Sequence, residues 1–280
     1  MRRRMLLQNV LIGSTAALIV GARFLPGDKP GPVATAAAAV LTVRPAAASP
    51  TIPAASSRTA SAAEPAAPTA AAGELKVALG AFSGVVRGLS SPTALEDAFK
   101  AYFAFKSAHS DEVKKPYLYF VDYGLPSTTQ RGYVFDMNAL KIVEGPFTVA
   151  HGRGSSTSQY GVPTRFSNSS GSAATSLGLY VTQALYNFTG HTAGHAYSSI
   201  GLKLEGVSTG FNDKANARGV VAHGAPYVTP TRAGRSEGCP AMEPARAQRL
   251  LPKLAEGSVV FLFAPNAQWM AGDPWLAAAN

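Results

Sequence analysis

Apolar and polar positions follow two different periods along this chain. Leu95, Phe99, Tyr102 and Phe103 recur three and four apart, the spacing of one helix face, so residues 93–107 are predicted to form an amphipathic helix. Ser91-Pro92 precedes it, and Thr93 with Glu96 has the form of a capping box. Residues 74–87 show a weaker helical pattern. From Tyr117 the texture changes to short β-branched and aromatic runs. These are YLYFVDY at 117–123, residues 132–135, KIVEG from Lys141, FTVAHG from Phe147, LGLYVTQ from Leu177, SIGLKLEG from Ser199 and GVVAHG from Gly219. Gly, Pro, Ser and Asn separate them, which predicts many short strands in a mostly β fold of sandwich or barrel type. Residues 243–254 are predicted as a short helix with Pro244 in its first turn, and residues 258–263 as a final strand.

The first seventy or so residues follow neither period. Arg2, Arg3 and Arg4 precede a mostly apolar run ending at Arg23 and Pro26, so residues 1–26 are expected to be an export signal, either cleaved or kept as an inner-membrane anchor. Either form places the remainder outside the cytoplasm, in the periplasm or cell envelope. Residues 27–73, rich in Ala, Pro, Ser and Thr, are expected to be an extended or disordered linker. Residues 74–280 are expected to form one folded domain, with its core at about 117–263.

Charge and cysteine usage narrow the function classes. The net charge is +9, of which residues 1–73 contribute +5. The folded part has no dense Lys/Arg run, which argues against a nucleic-acid binder. A mild positive balance suits work beside an anionic polymer. The single cysteine, Cys239, excludes an intramolecular disulfide and a four-cysteine zinc site.

Cys239 lies in GRSEGCPAM, sixteen residues after His223 in VVAHGAPY. A neighbouring imidazole that takes the thiol proton turns a cysteine into a nucleophile. Gly238 permits close backbone approach beside it. From spacing alone, a structural thiol and a structural histidine remain open. The wider set of motifs resembles a known family: HG at 223–224, S-x-G-C at 236–239, HGRGSS at 151–156, FSN at 166–168, SLGLY at 176–180 and N-D-K-A-N-A-R from Asn212. Together they are similar to the murein L,D-transpeptidase catalytic domain family, the second YkuD-like family, over about 117–263.

That resemblance implies a mostly β catalytic domain and a two-step acyl transfer between peptidoglycan stem peptides, one a donor and one an acceptor. It implies Cys239 as nucleophile, His223 as base, the Gly224 carbonyl orienting the imidazole, and amides near Gly238 and Cys239 as the oxyanion hole. It implies carbapenem acylation of Cys239, and either 3→3 or 1→3 cross-links, with the compact GRSEGCPAM form favouring 1→3. Ser236 and Arg235 are expected to shape the loop or to touch substrate, and Tyr227 to bond substrate or to pack. His151, Arg153 and Arg218 are candidates for substrate binding, each with a purely structural alternative. Glu237 stands where many relatives carry His or an aromatic, which bears on substrate preference. No cofactor or protein partner is implied. A zinc site built on His191 and His195 is a further alternative, although Gly194 and the missing glutamate of H-E-x-x-H oppose it. Hydrolysis of the same thioester by water, as a carboxypeptidase or endopeptidase, and a non-catalytic wall-binding module remain the other readings.

Overall fold

The computed structural model describes residues 68–86 and 88–277. The expected export segment, 1–26, and most of the expected linker lie outside the described residues. Helix α1 spans Pro68–Phe82, so it starts inside the stretch expected to be linker. Helix α2, Ala94–Ala108, buries Leu95, Phe99, Tyr102 and Phe103, the stripe that predicted it. Thr93 is its N-cap residue but makes no side-chain cap bond, so the capping box does not form. The Thr93 hydroxyl instead sits 3.1 Å from Ser91 Oγ.

The strands are β1 Tyr117–Asp122, β2 Gly132–Asp136, β3 Lys141–Phe147, β4 His151–Gly152, β5 Gly178–Thr192 and β6 His195–Gly206. They continue as β7 Val221–Gly224, β8 Val228–Thr229, β9 Arg232–Ala233, β10 Arg235–Ser236, β11 Ala241–Met242 and β12 Val259–Phe263. Helix α3, Pro244–Leu254, follows β11, with Pro244 in its first turn; α4, Ala267–Gly272, and α5, Pro274–Ala277, close the chain. The fold is mostly β. Eight strands form one mixed sheet in the order β11-β7-β6-β5-β12-β1-β2-β3, and β10-β4 and β8-β9 form two small additions.

Burial follows position in that order. Central strand β12 reads VVFLF and is buried throughout, as expected for a strand covered on both faces. It runs parallel to β1 and antiparallel to β5. Helix α2 packs on β12 and β1, while α3 packs its buried Ala247, Leu250, Leu251 and Leu254 toward β5, β6 and β7.

One irregularity decides what faces the far end of the sheet. The β5–β6 ladder shifts register between Thr182 and Leu185, where Gln183 and Ala184 stand against Lys203. A bulge re-aims every side chain beyond it. Past this one, Tyr186 pairs with Gly201, Gly201 with His223, and His223 with Ala241. Directly paired residues share a face, so Tyr186, Gly201, His223 and Ala241 form one row across β5, β6, β7 and β11.

Candidate active site

Strand register brings His223 and the cysteine loop together. Ala241, the partner of His223, lies two residues after Cys239, and the His223 N–H donates to the Pro240 carbonyl at 3.3 Å. His223 is 6 % exposed and its Nδ1 is 3.0 Å from the Gly224 carbonyl oxygen. A carbonyl only accepts, so Nδ1 carries the proton and Nε2 is the basic nitrogen. The Phe188 ring meets the imidazole edge-on at 5.3 Å. Burial lowers the His223 pKa, and the bond to Gly224 opposes that.

Cys239 is half-buried. Desolvation raises its pKa; a backbone bond from Val221 and the charge of Arg218 pull it down, and Glu237 pushes it up. The sulfur is also 3.9 Å from the Gly219 carbonyl. The raised thiol and the lowered imidazole both favour their neutral forms at rest. Such a pair works by general-base proton transfer when the sulfur attacks.

The loop that carries Cys239 is tied by short polar side chains. Ser236 Oγ donates to the Cys239 carbonyl at 2.7 Å and accepts the Gly238 N–H at 3.1 Å. The Gly238 amide is thus engaged within the loop. The Cys239 N–H has no partner among the described residues. Thr175 Oγ1 accepts from the Gly152 N–H at 3.0 Å and donates to the Gly238 carbonyl at 3.3 Å. Gly238 has φ +127°, a conformation that excludes other residues.

Gly152 of β4 explains why the HGRGSS stretch belongs to the site. A methyl group there would sit 2.8 Å from Gly238 Cα and would also overlap the Ala173 carbonyl. Both obstacles are backbone, so the two loops must separate to admit it. Gly152→Ala is expected to cost about 1–3 kcal/mol of stability and to slow alkylation of Cys239, read by thermal unfolding and thiol labelling.

The other expected site residues fall into distinct places. Arg235 Nη1 donates to the Ser156 carbonyl at 3.0 Å. Arg153 pairs with Glu237 at 2.7 Å, both well exposed. Arg218 does not present a free guanidinium. Its Nη1 donates to the Ser167 carbonyl at 2.9 Å and to Ser176 Oγ; its Nη2 reaches Ser172 Oγ at 3.2 Å and the Ala174 carbonyl at 2.9 Å. It therefore clamps the 167–176 loop against Gly238, and its charge is felt at the thiol. Tyr227 is hydrogen-bonded to Tyr197, and burial raises its pKa well above the usual phenol value.

His151 is fully buried, so it sits in the framework beneath the loop in place of a substrate-facing position. Its Nδ1 is 3.0 Å from Nη2 of Arg131, which is also fully buried and donates to the Val149 carbonyl from Nε (3.1 Å) and Nη2 (2.7 Å). Arginine only donates, so Nδ1 accepts and Nε2 carries the proton. Burial, then Arg131 and Arg235, push the His151 pKa down to about 3. The unfolded chain takes up this proton near 6.5 while the folded one refuses it until about 3. This stability is therefore present above pH ~6.5 and is lost as pH falls, with a slope of up to about 1.4 kcal/mol per pH unit. Urea midpoints between pH 7 and pH 4 are expected to fall more steeply in the wild type than in His151→Gln.

Three aromatics at the site were not expected from sequence. Tyr186, Phe188 and Tyr197 lie on the long β5–β6 hairpin, and Tyr186 and Tyr197 each lay their ring over the glycine paired with them, Gly201 and Gly190. The alternation of Tyr186, Phe188 and Gly190 was the available signal. His191 and His195 sit at the tip of this hairpin. Among the described residues, no group of three His, Cys, Asp or Glu is placed to hold a metal ion.

A mostly β domain with a histidine on a sheet strand and a cysteine in the following glycine loop is a recognisable class of site. The chain belongs to the L,D-transpeptidase catalytic domain family, YkuD_2, whose model matches residues 88–263. That match starts before the region expected from the motifs and takes in α2. No curated protein matches the chain. Among solved structures, the chain is similar to an L,D-transpeptidase from Mycobacterium smegmatis, at 13 % identity over 53 % of this chain and 59 % of that one, with a TM-score of 0.32. It is also similar to an L,D-transpeptidase from Stackebrandtia nassauensis, at 18 % identity over 62 % and 67 %, with a TM-score of 0.31. The chain thus spans about three-fifths of the length of the first of these.

Proposed function

We propose that this protein is a peptidoglycan L,D-transpeptidase that works through a Cys239 thioester. The observation that carries the proposal is the paired register of β7 and β11, which sets a tautomer-fixed His223 beside the loop of the chain's single thiol. His223 Nε2 takes the proton from Sγ as the sulfur attacks a donor-stem carbonyl. The Sγ–C bond forms, the C–N bond to the departing residue breaks, and the imidazolium returns its proton to the leaving amine. An acceptor amine, such as that of a diaminopimelate side chain, then attacks the thioester and releases the thiol. The free Cys239 N–H is the available donor for the oxyanion.

Within this reading we favour the 1→3 linkage, an exported location in the cell envelope and acylation by carbapenems. The neutral pair supports a base mechanism over a preformed thiolate. Incubating the full chain with a disaccharide-tetrapeptide donor tests the first step. An acyl adduct on Cys239 by intact-protein mass supports it. Release of a trimmed stem without any acceptor product moves the assignment to hydrolysis by the same site.

A further inference from the structure

We propose that Lys203, with the face of Tyr186, forms a carboxylate-binding subsite on the sheet face that carries His223. The substrate class is the stem peptide, so the identity of the ligand rests on the function proposed above.

Lys203 lies on β6 two residues from Gly201, and so on the face that carries Tyr186, His223 and Ala241. It pairs directly with Val221, whose backbone bonds the Cys239 sulfur. Its Nζ stands 5.8 Å from the centroid of the Tyr186 ring, and that ring lies across Gly201 toward His223. The bulge opposite Lys203 is what brings Tyr186 onto this face.

The other cations near the site are engaged. Arg153 is paired with Glu237, Arg218 is bound to four oxygens, and Arg235 donates to Ser156. The acidic neighbour on the same strand, Glu205, is held by Asn216 Nδ2 at 2.6 Å. Among the described residues, Lys203 Nζ makes no ion pair or hydrogen bond, and the residue is exposed. An unpaired ammonium resting over an aromatic face, on the sheet face that carries His223, raises the local concentration of anions. A peptide stem presents carboxylates within a residue or two of the bond to be cleaved, and one of them is the natural occupant.

Because the chain has one cysteine, alkylation reads this field without assuming any reaction. The full chain is treated with iodoacetate, which is anionic, and with iodoacetamide, which is neutral, at low ionic strength. Lys203→Gln is expected to slow iodoacetate about twofold relative to iodoacetamide. Lys203→Arg should restore the rate, and added salt should erase the difference. An unchanged ratio of the two rates overturns the subsite. The same variants are then assayed with a tetrapeptide donor bearing free or amidated carboxyls. Lys203→Gln should raise KM for the free acid several-fold and leave the amide's KM unmoved. Equal effects on both donors overturn the assignment to a stem carboxylate. If the wild type turns over neither donor, the proposed function fails, and the alkylation ratio still decides the subsite.

Discussion

Replacing Cys239 by alanine is expected to abolish acyl-enzyme formation and leave the fold intact. The chain has no second thiol to substitute for it. The loop does not depend on the sulfur. It is held by Ser236 Oγ bonding the Cys239 carbonyl and the Gly238 amide, by Thr175 bridging Gly152 and Gly238, and by the His223 amide on Pro240. The sulfur's own contacts are slight, 3.9 Å to the Gly219 carbonyl and a bond from Val221. Loss of a nucleophile lowers turnover by roughly 10⁴–10⁶. Intact-protein mass after exposure to a tetrapeptide donor or a carbapenem should show an adduct on the wild type only, with the two thermal midpoints close together. An adduct of the same mass on the alanine variant would remove Cys239 from the mechanism.

His223→Ala is expected to slow acylation about 10²–10⁴-fold and to change the shape of the pH profile. The base acts in its neutral form, and burial holds its pKa below the usual histidine value. In the wild type the rate should therefore persist below pH ~6.5 and fall only as the pH drops through that lowered value. In the variant this acid limb disappears. Its rate should climb through the alkaline range instead, following ionisation of a thiol that burial has raised. An acid limb at or above the usual histidine value would contradict a base whose pKa burial lowers, and an alkaline limb set by an imidazolium would mean that the resting pair is a thiolate and an imidazolium.

The placement of His223 and Cys239 was legible in sequence because their motifs are local: HG at a strand end and S-x-G-C in a turn. The α2 stripe and the buried run of β12 were legible for the same reason, since each is a short repeating pattern with one physical meaning. What escaped depended on pairing between distant segments. The length of the β5–β6 hairpin was hidden because most of its outer residues are exposed or only half-buried, leaving little burial contrast. The bulge at Gln183 and Ala184 then reverses which side chains face His223, and no periodicity within β5 reveals that. Arg218 was a candidate substrate ligand with a structural alternative, because a lone arginine near a motif suits either role. Only the fold shows the loop carbonyls and hydroxyls that occupy it. Thr93 kept the residue types of a capping box without its bond, and the Gly238 amide was taken by Ser236, a partner two residues away. Gly152 was visible as a motif residue, but its reason, a backbone-to-backbone approach to Gly238, belongs to the tertiary structure.

The most direct test is to incubate peptidoglycan with the full chain, wild type and Cys239→Ala, digest it to muropeptides and read the products by tandem mass spectrometry. New cross-linked dimers with the wild type alone are the predicted result, and their fragment masses identify the joined residues, with the L-Ala to diaminopimelate bond expected. Identical muropeptide profiles from the two proteins would contradict cross-linking through a Cys239 thioester.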